Sequence, residues 1–280
     1  MDSESLILDK LCFAYPNQPD HPVFEALSAK IPLSGNTLIL GANSSGKTAL
    51  ARILGGLDPP LKGGLIWPEP QEDRNSYGWE RPAAGVVFEN AHFQFHTFTV
   101  KEELGIGLLY RGASPEDGRK ALQEAADKLG MAPYMDCSIQ ELNQKEQLAV
   151  LVASFMLLKP RMLVLDFSLS GLDRWFRGLL LNLCEEGPAL VVISRMAQDL
   201  AFVGSGSRAF ILEQGSLLPL STPLDDPELI LRLASSGIRL PWYAPLAAAL
   251  RRKGLLSGLF YEQEEEFSQA VKKLAQTGKS

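Results

Sequence analysis

The chain has 280 residues, 46% of them hydrophobic and 21% charged, and carries a formal net charge of -6 at pH 7. It is long and apolar enough to bury a large core, which excludes a disordered chain. The acidic balance, without clustered Lys and Arg, excludes a nucleic acid as the expected partner, because backbone phosphates are held by such clusters.

The N-terminal "MDSESLILDK" is acidic where a secretion signal is basic. "SLILDKLCFAY", "VFEALSAKIP" and "NTLILG" then read as short strands, and "TALARILGGL" as a helix. A further strand, "GVVF", precedes polar residues and a helical stretch from Val100 to Leu129 that has its own N-terminal signal at Ser114 and Pro115. The α/β rhythm then returns as helix Glu146 to Leu158, strand "RMLVLD", helix Arg174 to Glu185, and strands "ALVVIS" and "RAFILEQG". The longest apolar run, Leu148 to Leu158, is too short to span a bilayer. From about Ser221 the chain becomes helical and Pro-punctuated, so the expected division is a main domain over 1–220, with a helical insertion at about 96–145, and a helical extension over 221–280. Three scattered cysteines, Cys12, Cys137 and Cys184, lack metal-ligand spacing and fit a reduced, cytoplasmic setting.

"GANSSGKT", Gly41 to Thr48, matches GxxxxGK[ST] between an apolar strand and a helix. In that context the backbone N–H groups of Gly41, Ala42, Asn43, Ser44, Ser45, Gly46, Lys47, Thr48 and Ala49 are expected to cradle phosphates. Lys47 would reach the β/γ oxygens and the Thr48 hydroxyl would ligate Mg²⁺. Asp166 ends the strand "MLVLD" and is placed to hold Mg²⁺ through water; its alternative reading is a capping Asp at a strand end.

These motifs resemble those of ABC-type ATPases, and more narrowly the ATP-binding subunits of energy-coupling factor transporters, over roughly Leu6 to Leu255. The resemblance implies a P-loop NTPase core with a parallel, RecA-like sheet, an N-terminal antiparallel β part, a helical subdomain and the C-terminal helical extension. In "CFAYP", Tyr15 looks like the adenine-stacking ring, although it also reads as an ordinary strand aromatic. "SGLD" looks like the D-loop with Asp173, which could equally cap the following helix. "VFENAHFQFHTF" looks like the stretch carrying the Gln loop, with Gln94 as a second glutamine; Gln94, His92 and His96 also read as plain loop residues.

The departures from the family pattern bear on hydrolysis. Phe167 stands where the family has the Glu that polarises the attacking water, a role worth about 10² to 10⁴ in rate, or roughly 3 to 5 kcal/mol of barrier. Arg195 replaces the switch histidine; it can pair with phosphate but cannot exchange a proton near neutral pH, and otherwise reads as a solvated strand-end residue. Glu89 occupies the Gln-loop position, where a carboxylate can keep the Mg²⁺ contact. Counted back from Asp166 without gaps, "LNQKE", Leu142 to Glu146, falls on the signature loop; a two-residue deletion shifts that alignment, but the glycines are missing either way. Side chains on Gln144 and Lys145 and the charge of Glu146 should obstruct a triphosphate there.

The resemblance implies head-to-tail pairing with a second ABC ATPase subunit, in a heterodimer rather than a homodimer, because self-pairing would combine both defects in each site. The expected protein is therefore an ATP- and Mg²⁺-binding subunit with slow hydrolysis, peripheral on the cytoplasmic face of a membrane and docked on an embedded coupling component. The alternative is a soluble regulatory or scaffolding module that uses ATP as a switch. A GTPase is disfavoured because "NQKE" is not NKxD, and a small-molecule kinase because of the D-loop and the insertion.

Overall fold

The computed structural model describes residues 4–68, 83–110, 114–128, 130–172, 176, 180, 187–202, 208–220, 228–256 and 264–277. Two sheets organise the fold. β1 (Ser5–Phe13), β2 (Phe24–Pro32) and β4 (Lys62–Ile66) form an antiparallel sheet in the order β2-β1-β4. β3 (Asn36–Gly41), β5 (Ala84–Phe88), β6 (Met162–Asp166), β7 (Ala189–Ser194), β8 (Arg208–Glu213) and β9 (Ser216–Pro219) form the larger one, in the order β5-β6-β7-β3-β8-β9. The first five of its strands are parallel, and β9 closes the edge antiparallel to β8. This is the predicted architecture, with β4 and β9 added; β4 carries two glycines and β9 spans four residues, so neither shows a clear alternation in sequence.

The central strands are near-continuous apolar runs because both faces are covered. Alternate side chains part to opposite sides: Leu38, Leu40, Leu163 and Leu165 join one core, while Ile39, Met162 and Val164 join the other. The second core is shared with the small sheet and with α1 (Lys47–Leu54), whose Ala49, Leu50, Ala51, Ile53 and Leu54 are all buried.

The first core receives the helical insertion: α2 (Val100–Tyr110), α3 (Pro115–Lys128) and α4 (Gln144–Leu157). The predicted signal at Ser114 operates, its hydroxyl accepting the Asp117 amide at 3.1 Å. α4 begins at Gln144, two residues before the predicted Glu146, because Asn143 caps it. The predicted helix from Arg174 to Glu185, Asp173 of the D-loop and Cys184 lie largely or wholly outside the described residues.

The C-terminal part forms α5 (Glu228–Ser235), α6 (Ala244–Arg252) and α7 (Glu264–Thr277). Its first portion is built into the main body, since Leu229, Leu233 and Ile238 belong to the first core. Tyr243, stacked on Phe267 at 4.7 Å, centres a separate small cluster.

Candidate functional site

The carboxyl ends of β3, β5, β6 and β7 lie side by side, with Phe88 in register with Asp166 and Leu40 with Ser194. Chain reversals beyond such ends form the crevice where parallel sheets bind ligands. Here the crevice is a cavity of about 930 Å³ whose lining includes Lys47, Thr48, Glu89, Asp166, Phe167 and Arg195. Asn43 and Ser44 also line it. Gly41, Ala42, Ser45, Gly46 and Ala49 belong to the loop and helix start behind those side chains, and Ala49 is fully buried in the second core.

The loop geometry explains several residue types. Gly46, the N-cap of α1, sits at φ 94, and a Cβ there would come within 2.6 Å of Val23 and 2.9 Å of Phe24; only glycine fits. Ser44 holds a left-handed φ of 61, an uncommon and strained state for a residue with a Cβ. Nothing in its residue type announced that strain.

Lys47 donates its ammonium to the Ala42 carbonyl, folded back on its own loop. Burial lowers its pKa, Asp166 opposes that, and Arg195 adds to it. Thr48 donates its hydroxyl to Asp166 Oδ2 at 2.7 Å. Burial raises the Asp166 pKa; the Thr48 hydrogen bond and Lys47 pull it down, and Glu89 pushes it up. Two carboxylates and a hydroxyl facing one cavity make an all-oxygen donor set that fits Mg²⁺, which takes one or two carboxylates and completes its shell with water and phosphate. Among the described residues no cluster of three or more His, Cys, Asp or Glu forms a self-sufficient metal cage.

Tyr15 lies outside the cavity lining, 37% exposed and edge-on to Phe13 at 5.3 Å. Gln94 is tied to the strand before it: Oε1 accepts the Phe88 amide at 2.7 Å and Nε2 donates to the Val86 carbonyl at 2.8 Å, fixing the turn that carries Glu89. Glu89 is exposed, and its carbonyl accepts the Gln144 side-chain amide at 3.1 Å.

Phe167 is only 5% exposed and packs into the first core, presenting an apolar wall to the cavity immediately after Asp166. Arg195 is exposed at the cavity rim. Its backbone carbonyl accepts the Arg239 amide at 2.9 Å, and the Ala197 amide returns a bond to the Arg239 carbonyl. The same C-terminal stretch reaches the phosphate loop, where a Cβ on Gly237 (φ 69) would lie 3.1 Å from that of Ala42.

At the start of α4 three backbone donors, those of Asn143, Lys145 and Glu146, are already taken. Asn143 Oδ1 accepts the amides of Lys145 and Glu146, and Glu146 Oε2 accepts the Asn143 amide at 2.9 Å, a complete capping box. The capping box adds to the bulk of Gln144 and Lys145 expected from sequence, and it is legible as N-x-x-E in "NQKE".

One group escaped sequence reasoning altogether. Asp199, in the turn after β7, is buried and bonded to the loop after β6 through Ser168 and Ser170. Burial pushes its carboxyl up to about 6. A lone Asp in "MAQDLAF" carries no sequence signal for such burial.

Comparison with known proteins bears on the whole chain. A family model described as "ABC transporter" matches residues 24–168. The energy-coupling factor transporter ATP-binding protein EcfA1 of Lactobacillus delbrueckii subsp. bulgaricus is 27% identical over 277 residues, covering 97% of this chain and 98% of the relative. Its counterpart in Streptococcus thermophilus is 30% identical over 232 residues, 81% of this chain and 83% of the relative. The solved structure of cbiO1 from Clostridium perfringens, described as part of the ABC transporter complex cbiONQ, superposes with a TM-score of 0.68 at 18% identity, covering 90% of this chain and 96% of that one.

Proposed function

The chain belongs to the ABC transporter family, and from that premise we propose that it is the ATP-binding subunit of an energy-coupling factor type importer whose own hydrolysis is slow. The observation that carries the reading is the pairing of an intact phosphate side, Lys47, Thr48 and Asp166 on one cavity, with an apolar wall at Phe167.

In this reading Lys47 leaves the Ala42 carbonyl for the β/γ oxygens, and the amides of the loop Gly41–Thr48 donate to the remaining phosphate oxygens. Thr48, Asp166 and Glu89 would hold Mg²⁺, whose charge would offset that of the phosphates. Arg195 at the rim offers a planar fork to phosphate oxygens and holds them without proton exchange. Tyr15 supplies an aromatic face for the base. Phe167 can neither orient water nor take its proton, so a bound triphosphate persists.

The partners follow from the same premise. A second ATPase subunit pairs head to tail, and the capped start of α4 gives its nucleotide a poor grip, which favours a heterodimer whose other member brings an intact signature. Phe93 and Phe98, 81% and 79% exposed beside the Gln94 turn, offer apolar contact to a membrane-embedded component. Among the described residues no helix is long and apolar enough to cross a membrane, so attachment to one is proposed to be through that component, on its cytoplasmic face. Purification from the native operon tests this: the reading expects co-purification with an integral membrane protein and a second ATPase, and a chain that binds ATP but brings down neither would instead favour a free-standing switch.

A further inference from the structure

Only one of the two oxygens of Asp199 is satisfied. The residue is 1% exposed. Oδ1 accepts the Ser168 hydroxyl at 3.1 Å and the Ser170 amide at 2.8 Å. Ser194 and the Leu169 amide also favour the charged carboxylate, against the larger effect of burial, and among the described residues no charged side chain acts on it. Oδ2 is buried with no hydrogen-bond partner among the described residues. A carboxylate held out of water with an idle oxygen favours its protonated form, which makes it a stronger base than an exposed Asp.

From Asp199 a line of hydroxyls leads to the cavity. Ser168 Oγ has a single proton and donates it to Asp199, so in its 2.6 Å contact with Ser170 Oγ it is the acceptor and Ser170 the donor. The lone pairs of the Ser170 oxygen are then the entry point. Ser168 and Ser170 both line the cavity that gathers Lys47, Thr48 and Asp166.

We infer that Ser170, Ser168 and Asp199 form a proton relay that takes the proton of the attacking water in place of the carboxylate missing at Phe167, and so sustains a slow hydrolysis of the bound nucleoside triphosphate. The inference rests on the ATP-binding reading above. As the water oxygen bonds to the γ-phosphorus, the bond from that phosphorus to the bridging oxygen breaks and the nucleoside diphosphate leaves with the electron pair. The water proton passes to Ser170 Oγ, the Ser170 proton to Ser168 Oγ, and the Ser168 proton to Asp199 Oδ1. Asp199 is left neutral, and losing its proton to solvent resets the relay. Two intervening hydroxyls make this a weaker device than a base touching the water, in keeping with slow turnover.

The full-length chain with Mg-ATP provides the test. Asp199→Asn is expected to lower turnover about tenfold or more while ATP affinity stays within about twofold. Wild-type turnover should fall in acid with a midpoint near 6, the value to which burial pushes Asp199, and the variant should lack that limb. Independently of turnover, infrared difference spectra should show a protonated-carboxyl band with the same midpoint, present in wild type and in Ser170→Ala but absent from Asp199→Asn. Ser170→Ala, which cuts the relay and leaves Asp199 in place, should lose turnover as Asp199→Asn does. In a Phe167→Glu background, which restores a direct base, Asp199→Asn should cost nothing, whereas a purely structural role would lower both backgrounds. If Phe167→Glu does not fold, the acid limb and Ser170→Ala decide the matter. Turnover unchanged in Asp199→Asn or Ser170→Ala, affinity lost together with turnover, no titrating band, or ATP bound by wild type with no turnover at any pH would each overturn the relay. Failure of wild type to bind ATP would instead overturn the reading on which it rests.

Discussion

The two halves of the cavity are built from different materials. The proposed phosphate side, from β3 through the loop into α1, would work through backbone amides, one lysine and a glycine that only its own φ and neighbours permit. The proposed hydrolysis side, at the ends of β6 and β7, depends on individual side chains, and those are Phe167 and Arg195; the start of α4, outside that cavity, is self-capped at Asn143. Backbone-borne function needs only the local fold to persist, whereas side-chain function disappears with single replacements. A chain can therefore keep a nucleotide grip while its capacity to cut declines.

Substitutions on each side test this contrast. The largest effect is expected on the phosphate side: Lys47→Ala should weaken ATP binding about 100-fold, equivalent to roughly 3 kcal/mol, the loss of a charged hydrogen-bond partner. Equilibrium dialysis or calorimetry measures it, and a loss under tenfold would mean that the loop amides alone carry the grip.

On the hydrolysis side the expected pH effect is of similar size. Asp199 has a folded-state pKa near 6, above the ordinary 3.8, so the folded state binds the extra proton. Stability from this group is fully present below about pH 4 and is lost as pH rises through 6, a difference on the order of 3 kcal/mol. Denaturant unfolding between pH 4 and 7.5 should show that trend once other carboxylates are controlled for by Asp199→Asn, which should flatten it.

Two smaller effects separate the halves further. Asn143→Ala should destabilise the fold by about 1 kcal/mol by releasing the α4 cap, and should leave the chain's own ATP affinity unchanged. Ser44→Gly should stabilise by roughly 1 kcal/mol, because glycine relieves the left-handed backbone; thermal unfolding reads both, and destabilisation by Ser44→Gly would show that its side chain makes an unrecognised bond.

How much of this was legible in the sequence follows the same division. The apolar runs of β3, β6 and β7 and the GxxxxGK[ST] loop announce themselves because strand periodicity and the glycine pattern are local. The bond between Arg239 and the Arg195 turn, the seat of Gly237 on Ala42, and the burial of Asp199 arise from segments far apart in the chain. No local pattern encodes them. Phe167 was visible as a departure, but only packing decides that its ring joins the core and walls the cavity. The expected boundary near Ser221 rested on a change of composition, while Leu229, Leu233 and Ile238 pack with the main sheet.

The most direct measurement is ATP affinity together with phosphate release by the purified chain, beside Phe167→Glu. Saturable Mg-dependent ATP binding with turnover of roughly 0.1 per second or slower is predicted, a typical enzyme rate reduced by the worth of a general base, and the restored acid should raise it. Wild-type turnover near an ordinary ~10 per second, or no nucleotide binding at all, would contradict the account.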